Sequence, residues 1–197
     1  MNNFSSLLLQ GIQAEFAVMD SINDAIHHSD FFLQWLHFGE LNAYLPTHPD
    51  TPFDILVEIG NDIRSIEVKS ANCGDKWPTF FAEIMQTASQ GYAEYLVYVP
   101  NYIVYVDLPT NTHYWYNGDM FTAAVKARYM CRKPATVKAE GVKFLKESDV
   151  FGYIGKMKQT PDLEDINDKY YDEIHARLRR KKTPKVHKHA PFLPTIE

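Results

Sequence analysis

The sequence is short of cysteine, of long apolar runs and of basic residues at its start, and each shortage excludes a class of protein. Cys73 and Cys131 are the only cysteines among 197 residues, so a disulfide-stabilised secreted domain is not expected. No stretch approaches the ~18 apolar residues that a membrane helix requires. The apolar run near the N-terminus also lacks the basic segment of a signal peptide. We therefore expect an intracellular, cytoplasmic protein in a reducing compartment, without a membrane partner.

The composition predicts a folded domain that carries a charged C-terminal segment. Hydrophobic residues make up 45% of the chain and aromatic residues 14%, which is enough to bury a core. We expect one domain at residues 1–160 and a further segment, helical and then basic, at 161–197. An acidic stretch at 162–173 is followed by seven basic residues, namely Arg177, Arg179, Arg180, Lys181, Lys182, Lys185 and Lys188.

This basic cluster predicts a nucleic-acid partner, although the net charge of the whole chain is −5. Clustered Lys and Arg side chains neutralise phosphates, and such contacts supply most of the non-specific affinity for DNA. The alternative is a solvated or disordered tail that only aids solubility.

Two apolar-alternating runs bring charged residues together around a tight turn. Asp54 lies in the run 53–59, Glu67 and Lys69 lie in the run 63–70, and Gly-Asn-Asp separates the runs. The pattern predicts two antiparallel strands, and the length of the loop decides which side chains share a face. A four-residue loop at 59–62 pairs Asp54 with Glu67, a two-residue loop at 61–62 pairs Asp54 with Lys69, and an odd loop separates the acids.

Two carboxylates that converge repel each other unless a positive charge lies between them. A hard divalent cation is the usual partner of such a pair, and Lys69 adds a further positive charge two residues from Glu67. The trio therefore predicts a metal site with a lysine beside it. The alternative is an exposed ladder of ion pairs across the hairpin, which contributes little to stability.

Helical periodicity predicts a helix over 5–28, with Glu15 in the middle of its apolar stripe. An acid at that position either points into a functional site or extends past the helix end to water. A second helix is expected at 79–91, with Gln86 and Gln90 one turn apart on its more polar side. We expect further strands at 40–46, 95–99 and 103–106, and further helices near 120–130 and 149–158. This order predicts an α/β or α+β fold with a central mixed β-sheet flanked by helices.

The charged residues and their setting resemble the PD-(D/E)XK nuclease superfamily, which includes restriction endonucleases, resolvases and phage nucleases. Asp54 and the Glu67-Val68-Lys69 element match its motif, although the proline stands one residue earlier than usual, at Pro52. The Gly-x-x-Ala-Glu pattern that ends at Glu15 is similar to the acid-bearing helix of resolvase-like members. A glutamine on the following helix is also common there, and Gln86 or Gln90 is its expected counterpart. The resemblance implies a restriction-endonuclease-like core.

The resemblance also implies an activity, that of a Mg²⁺-dependent DNA endonuclease in which Mn²⁺ can substitute. Asp54, Glu67 and the carbonyl of Val68 are then expected to hold the ion, with Glu15 on a second ion or its water. Lys69 is expected to orient or deprotonate the attacking water, or to neutralise charge in the transition state. Double-strand cleavage by one compact domain would further imply a homodimer.

Other functions remain open on the sequence alone. One is a sequence-specific homing or restriction-type endonuclease, because base readout cannot be placed from the sequence. Another is a non-catalytic DNA-binding or assembly protein on a nuclease-like fold. A third is an unrelated α/β protein in which the charged residues never converge.

Overall fold

The computed structural model describes residues 3–24, 41–48, 51–86, 91–130, 141–159 and 162–181. The helices are α1 (Asn3–Asp24), α2 (Glu94–Val97), α3 (Gly118–Met130), α4 (Leu163–Lys169) and α5 (Tyr171–Lys181), and a 3-10 turn covers Asp149–Phe151. The strands are β1 (Leu41–Tyr44), β2 (Ile55–Ile59), β3 (Asp62–Ala71), β4 (Thr79–Glu83), β5 (Met85–Gln86), β6 (Gly91–Tyr92), β7 (Tyr102–Asp107), β8 (Thr112–Asn117), β9 (Gly141–Leu145) and β10 (Tyr153–Lys158). No helix in these ranges is long and apolar enough to cross a membrane.

Six strands form the central sheet, in the order β1-β2-β3-β7-β8-β10. Strands β3 and β7 run parallel, and every other neighbouring pair in this sheet is antiparallel. A parallel pair needs a long connection, and here residues 72–101 supply it and carry β4 to β6 and α2. The expected central mixed sheet flanked by helices is therefore confirmed.

The two faces of the sheet bury different side chains. Along β7, Val104 and Val106 face α1, while Ile103 and Tyr105 face the opposite layer, because successive strand residues point to opposite sides. The opposite layer consists of the two-stranded β4–β9 ribbon with α2 and α3, and it buries an aromatic core. Every residue of β7 is buried, which fits a strand that is covered on both faces.

The helix expected at 79–91 is wrong for the described part of that segment, because residues 79–86 form β4 and β5 and residue 91 begins β6. Phe80, Ala82 and Ile84 are buried whereas Phe81 is half exposed, so the alternation has a period of two rather than 3.6. The strand expected at 95–99 is likewise wrong, since α2 occupies Glu94–Val97. The helix expected near 149–158 is a 3-10 turn followed by β10.

A buried ion pair fixes the loop that follows β3. Lys146 Nζ lies 2.6 Å from Asp107 Oδ2 and donates to the carbonyl oxygen of Gly74 at 2.8 Å. The other carboxylate oxygen, Asp107 Oδ1, accepts from the backbone N–H groups of Cys73 and Gly74. Each charge is thus matched by hydrogen bonds, and the ends of β3, β7 and β9 are held together where the ribbon begins.

Helices α4 and α5 pack on the outer side of α1. Ile166 and Ile174 are fully buried and lie in one cluster with Ile12 and Phe16 of α1. Asp20 of α1 is also buried, and its Oδ1 accepts from both Lys169 Nζ and the Tyr170 hydroxyl at 2.6 Å. The described part of the charged C-terminal segment is therefore docked on the domain through apolar and polar contacts.

Candidate active site

The β2–β3 hairpin brings Asp54 close to Glu67. Ile55 pairs with Ile66 and Ile59 pairs with Asp62, so Asp54 comes directly before the first pair and Glu67 directly after it. The two carboxyl groups are near enough for the charge of Asp54 to act on Glu67. The turn consists of Gly60 and Asn61, and Gly60 adopts the left-handed φ of 59°. This is the register expected for the four-residue loop at 59–62. In the structure Ile59 and Asp62 also pair, so the strands are longer than expected and only two residues remain in the turn.

Asp54 is anchored to the neighbouring strand through its backbone and its side chain. Its N–H donates to the Ile66 carbonyl at 3.1 Å, and its Oδ2 accepts from the Val68 N–H at 2.9 Å. The N–H and C=O of one strand residue point to the same side of the strand, so the Val68 carbonyl points to the edge of β3 on which Asp54 lies. The start of β2 thus lies beside a carboxylate and a main-chain oxygen.

Glu67 and Lys69 lie on the face of β3 that is turned toward α2 and the ribbon. Lys69 Nζ is 2.6 Å from Glu67 Oε1, and their side chains are 25% and 8% exposed, respectively. The ammonium group also lies over the ring of Tyr95, 5.5 Å from its centroid. The Tyr95 hydroxyl donates to the carbonyl oxygen of Glu83, which fixes the ring beneath Lys69. Lys69 is therefore held in place yet remains reachable from solvent.

The electrostatics of the site favour an additional positive charge. The pKa of Glu67 is raised to about 8, first by burial and next by the nearby Asp54 carboxylate, while Lys69 acts in the opposite direction. Burial lowers the pKa of Lys69, but the charges of Glu67 and Asp54 outweigh this effect and the net shift is upward. Lys69 is therefore a cation at neutral pH. One ammonium does not fully compensate the two acids, because Glu67 remains hard to ionise.

Glu94 is an acid that our sequence analysis missed. It is the first residue of α2, and its negative charge contributes to the raised pKa of Glu67. The sequence offers one weak signal, an acid directly before the buried pair Tyr95 and Leu96, which is typical of the first turn of a helix. Because a strand was predicted at 95–99, a helix that begins at Glu94 was not expected.

The structure corrects the expected position of Glu15. Helix α1 packs against the valine-rich face of the sheet, whereas Glu67 and Lys69 belong to the other face. Glu15 is 4% exposed, and its Oε2 lies 3.2 Å from Arg177 Nη2 of α5. Glu15 is therefore paired with α5 and is shielded from water, and no described contact joins it to Asp54, Glu67 or Lys69. Because α5 packs against α1 and places Arg177 beside Glu15, an acid can occupy the apolar stripe of α1.

The other predicted site residues are only partly described. Gln86 lies in β5 rather than on a helix, and its side chain falls outside the described part of the chain, as does Gln90 entirely. Arg177 is 20% exposed and paired with Glu15, so it does not present a free cation to DNA. Arg179 is exposed near the end of α5. The side chains of the remaining basic residues, Arg180, Lys181, Lys182, Lys185 and Lys188, lie outside the described residues.

The donor set at the start of β2 suits a small hard cation. Two carboxylates and one main-chain carbonyl offer only oxygen, which Mg²⁺ prefers, and that ion commonly keeps several waters. No group of three or more His, Cys, Asp and Glu side chains with metal-binding geometry is found among the described residues. The protein would therefore supply Asp54, Glu67 and the Val68 carbonyl, and leave the other positions to water and substrate.

No protein-family model matches the chain, and no curated protein matches it at a significant level. Among solved structures, the chain is similar to a bacterial homing endonuclease, I-Ssp6803I, with 12% sequence identity and a TM-score of 0.36. The alignment covers 89% of this chain and 96% of that one. A similarity this low carries no conclusion about activity, so the function has to be argued from the site itself.

Proposed function

We propose that the protein is a metal-dependent DNA endonuclease that hydrolyses phosphodiester bonds, with Mg²⁺ as its ion and Mn²⁺ as a substitute. The observation that carries the proposal is the proximity of Asp54, directly before β2, to Glu67 of β3, with the Lys69 ammonium 2.6 Å from Glu67. This arrangement has the acids and the lysine of the PD-(D/E)XK motif on one face of adjoining strands, which supports a restriction-endonuclease-like core. An exposed ion-pair ladder is disfavoured, because Glu67 is almost fully buried.

Asp54, Glu67 and the Val68 carbonyl would hold the cation. When bound, Mg²⁺ polarises the phosphate and lowers the pKa of a coordinated water. Lys69 donates a hydrogen bond to the attacking water or to a phosphate oxygen and neutralises charge in the transition state. Its raised pKa favours this role over that of a general base. In the reaction a water oxygen forms a bond to phosphorus, the P–O bond to the leaving strand breaks, and the departing oxygen takes up a proton.

The proposed DNA contacts outside the site come from the basic end of α5 and the residues that follow it. Arg179 is exposed there, and the sequence continues with further Lys and Arg residues. Contacts of this type hold the phosphate backbone without reading bases. Cutting of both strands would require two copies of the site, which favours a homodimer in that case.

The proposal is tested by incubating supercoiled, linear, branched and single-stranded DNA with the protein in Mg²⁺ or in EDTA. We expect cleavage only with the metal, and we expect Lys69→Ala and Asp54→Asn to lower the rate by about a hundredfold or more. Lys156→Ala is the matched control, because Lys156 is a half-exposed lysine that is also paired with a glutamate, Glu147. Cleavage by Lys69→Ala at the wild-type rate would contradict the assigned role.

The same assay separates the alternatives. Cutting at one discrete position in a plasmid would indicate a sequence-specific homing or restriction-type enzyme. Metal-independent DNA binding without any cutting would indicate a non-catalytic DNA-binding or assembly protein on this fold.

A further inference from the structure

The outer face of the β4–β9 ribbon carries an exposed apolar stripe. Thr79 pairs with Leu145, and the pairing extends to Pro78 and Lys146, so Trp77, Phe81 and Leu145 point away from the core. Their exposed fractions are 64%, 50% and 58%, whereas Phe80 and Phe144 on the inner face are buried. Phe81 on β4 and Trp77, two residues before β4 begins, are therefore both exposed aromatic side chains.

Charges of both signs lie near this stripe, because Asp75 comes two residues before Trp77 and Glu83 comes two residues after Phe81 on β4. Lys143 is exposed and pairs directly with Phe81 across the ribbon. Arg128 of α3 is exposed as well and donates to the carbonyl oxygen of Lys143 at 3.1 Å. The nearby acid Glu147 is paired with Lys156. Exposed aromatic rings next to Lys and Arg are suited to a ligand that combines flat rings with anionic groups.

The ribbon is joined directly to the candidate active site. The Tyr105 hydroxyl donates to the Phe81 carbonyl at 3.1 Å, and Tyr105 pairs with Lys69 in the parallel β3–β7 ladder. Two residues further along β4, the Glu83 carbonyl accepts from Tyr95, whose ring lies beneath Lys69. The backbone of β4 is therefore connected to the residues around Lys69 through Tyr105 and Tyr95.

We propose that the outer face of the β4–β9 ribbon binds unpaired bases, which stack on Trp77 and Phe81 while Lys143 and Arg128 contact the phosphates. The inference rests on the proposed function and names its substrate class: DNA that contains single-stranded or branched segments. Stacking requires a free base face, and bases within an intact duplex do not offer one. The cations that flank the rings favour this ligand over a second copy of the chain, which would bury an apolar stripe against an apolar partner.

The test measures binding in EDTA, so that it does not depend on cleavage. Fluorescence anisotropy with a labelled oligothymidylate is compared with the same measurement on a blunt duplex, for wild type, Trp77→Leu and Phe81→Leu. Leucine keeps the apolar surface and removes the aromatic face, so each variant is expected to bind the single strand about fivefold or more weakly. Ile63→Ala is the control, because Ile63 is 61% exposed at the tip of the β2–β3 hairpin. All three substituted side chains are exposed, so the fold is expected to persist, as circular dichroism can verify.

Wild-type affinity in both leucine variants, or equal affinity of the wild type for duplex and single strand, would overturn the proposal. A dimer in sedimentation that becomes a monomer in Trp77→Leu would assign the stripe to a second copy and also overturn it. The two proposals fail in different ways. Weaker single-strand binding by the leucine variants, without any metal-dependent cutting, would support base stacking on the ribbon and refute the proposed nuclease. Metal-dependent cutting that the leucine variants leave unaffected would support the nuclease and refute base stacking on the ribbon.

Discussion

The Lys69 ammonium lies over the Tyr95 ring, with 5.5 Å between Nζ and the ring centroid. A cation at this distance from an aromatic face is attracted by the ring, by about 1 kcal/mol when partly desolvated. The ring is itself fixed, because its hydroxyl donates to the Glu83 carbonyl and its edge meets Phe121. Tyr95 is therefore a positioning residue for Lys69 in the proposed reaction.

We expect Tyr95→Leu to lower kcat for DNA cleavage about tenfold and to leave KM nearly unchanged, since the ring acts on Lys69 rather than on the substrate. Tyr95→Phe keeps the ring and should retain most of the activity. Cleavage rates at several DNA concentrations give kcat and KM for the wild type and both variants. Tyr116→Leu is the control for lost packing, because Tyr116 is also fully buried and its hydroxyl donates to a backbone carbonyl, that of Lys146. Equal activity loss in Tyr116→Leu and Tyr95→Leu would remove the positioning role.

The structure and the sequence resemblance predict different roles for Glu15, a buried ion pair and a place in the active site, respectively. Because Glu15 is paired with Arg177 on the far side of the sheet, Glu15→Gln should leave the cleavage rate within about twofold of wild type. It should instead lower the free energy of unfolding by about 1–3 kcal/mol, since it leaves a largely buried guanidinium without its carboxylate. Urea denaturation and plasmid cleavage test the two effects, with Arg177→Gln as the matched partner variant. A hundredfold loss of cleavage at unchanged stability would restore Glu15 to the active site.

Asp107→Asn should be among the most destabilising single substitutions outside the candidate site. The substitution leaves Lys146 buried without a counter-charge, and breaking such a pair costs about 3–5 kcal/mol. The measurement is the free energy of unfolding in urea, and the double variant Asp107→Asn with Lys146→Met should recover part of the loss. No recovery in the double variant would mean that the hydrogen bonds of Asp107 to Cys73 and Gly74 dominate instead.

The fold and the site differ in how far the sequence predicts them. The hairpin itself was predictable, because alternating apolar residues flank a Gly-Asn-Asp turn signal. The sequence left three loop lengths open, however, and only the observed register decides which side chains share a face. Segment 79–86 was not, because adjacent aromatic residues such as Phe80 and Phe81 satisfy a helical stripe and a strand equally well. Their alternating burial arises only when β9 pairs with β4, sixty residues away in sequence.

Glu15 shows that the sequence also fails to predict which residues are paired in the folded protein. An apolar stripe with one central acid shows that the acid needs a partner, but it does not identify the partner. The partner, Arg177, lies in a segment that reads as a basic tail and was assigned to DNA. Only the docking of α5 on α1, through Ile174 and Phe16, brings the two charges together.

Deleting residues 182–197 should weaken DNA binding in a salt-dependent way. Each phosphate contact that is lost reduces the slope of log K against log salt by about 0.9 for duplex DNA. Arg179→Ala should reduce the slope by about one contact, whereas Arg177→Ala should lower stability and leave the slope unchanged. Anisotropy titrations at several salt concentrations measure this. An unchanged slope after the deletion would remove the tail from the proposed DNA contacts.

His113 predicts a specific loss of stability in mild acid. It is fully buried in β8 between Val106 and Met157, and burial lowers its pKa from 6.5 to about 4, with the neighbouring Gln159 opposing the shift. The folded protein therefore keeps His113 neutral, while the unfolded chain takes up a proton near pH 6.5. Between these two values the unfolded state binds more protons, so the free energy of unfolding decreases as the pH falls.

The total loss from His113 should be roughly 3 kcal/mol between about pH 7 and pH 4, and this contribution should level off below the folded pKa. His113→Leu removes the titrating group, so its stability should depend less steeply on pH across that window. Urea unfolding of both proteins at several pH values measures the difference, with His175→Leu on α5, where the imidazole is partly exposed, as the control. Parallel stability curves for wild type and His113→Leu would mean that the buried imidazole is protonated as readily in the folded protein as in the unfolded chain.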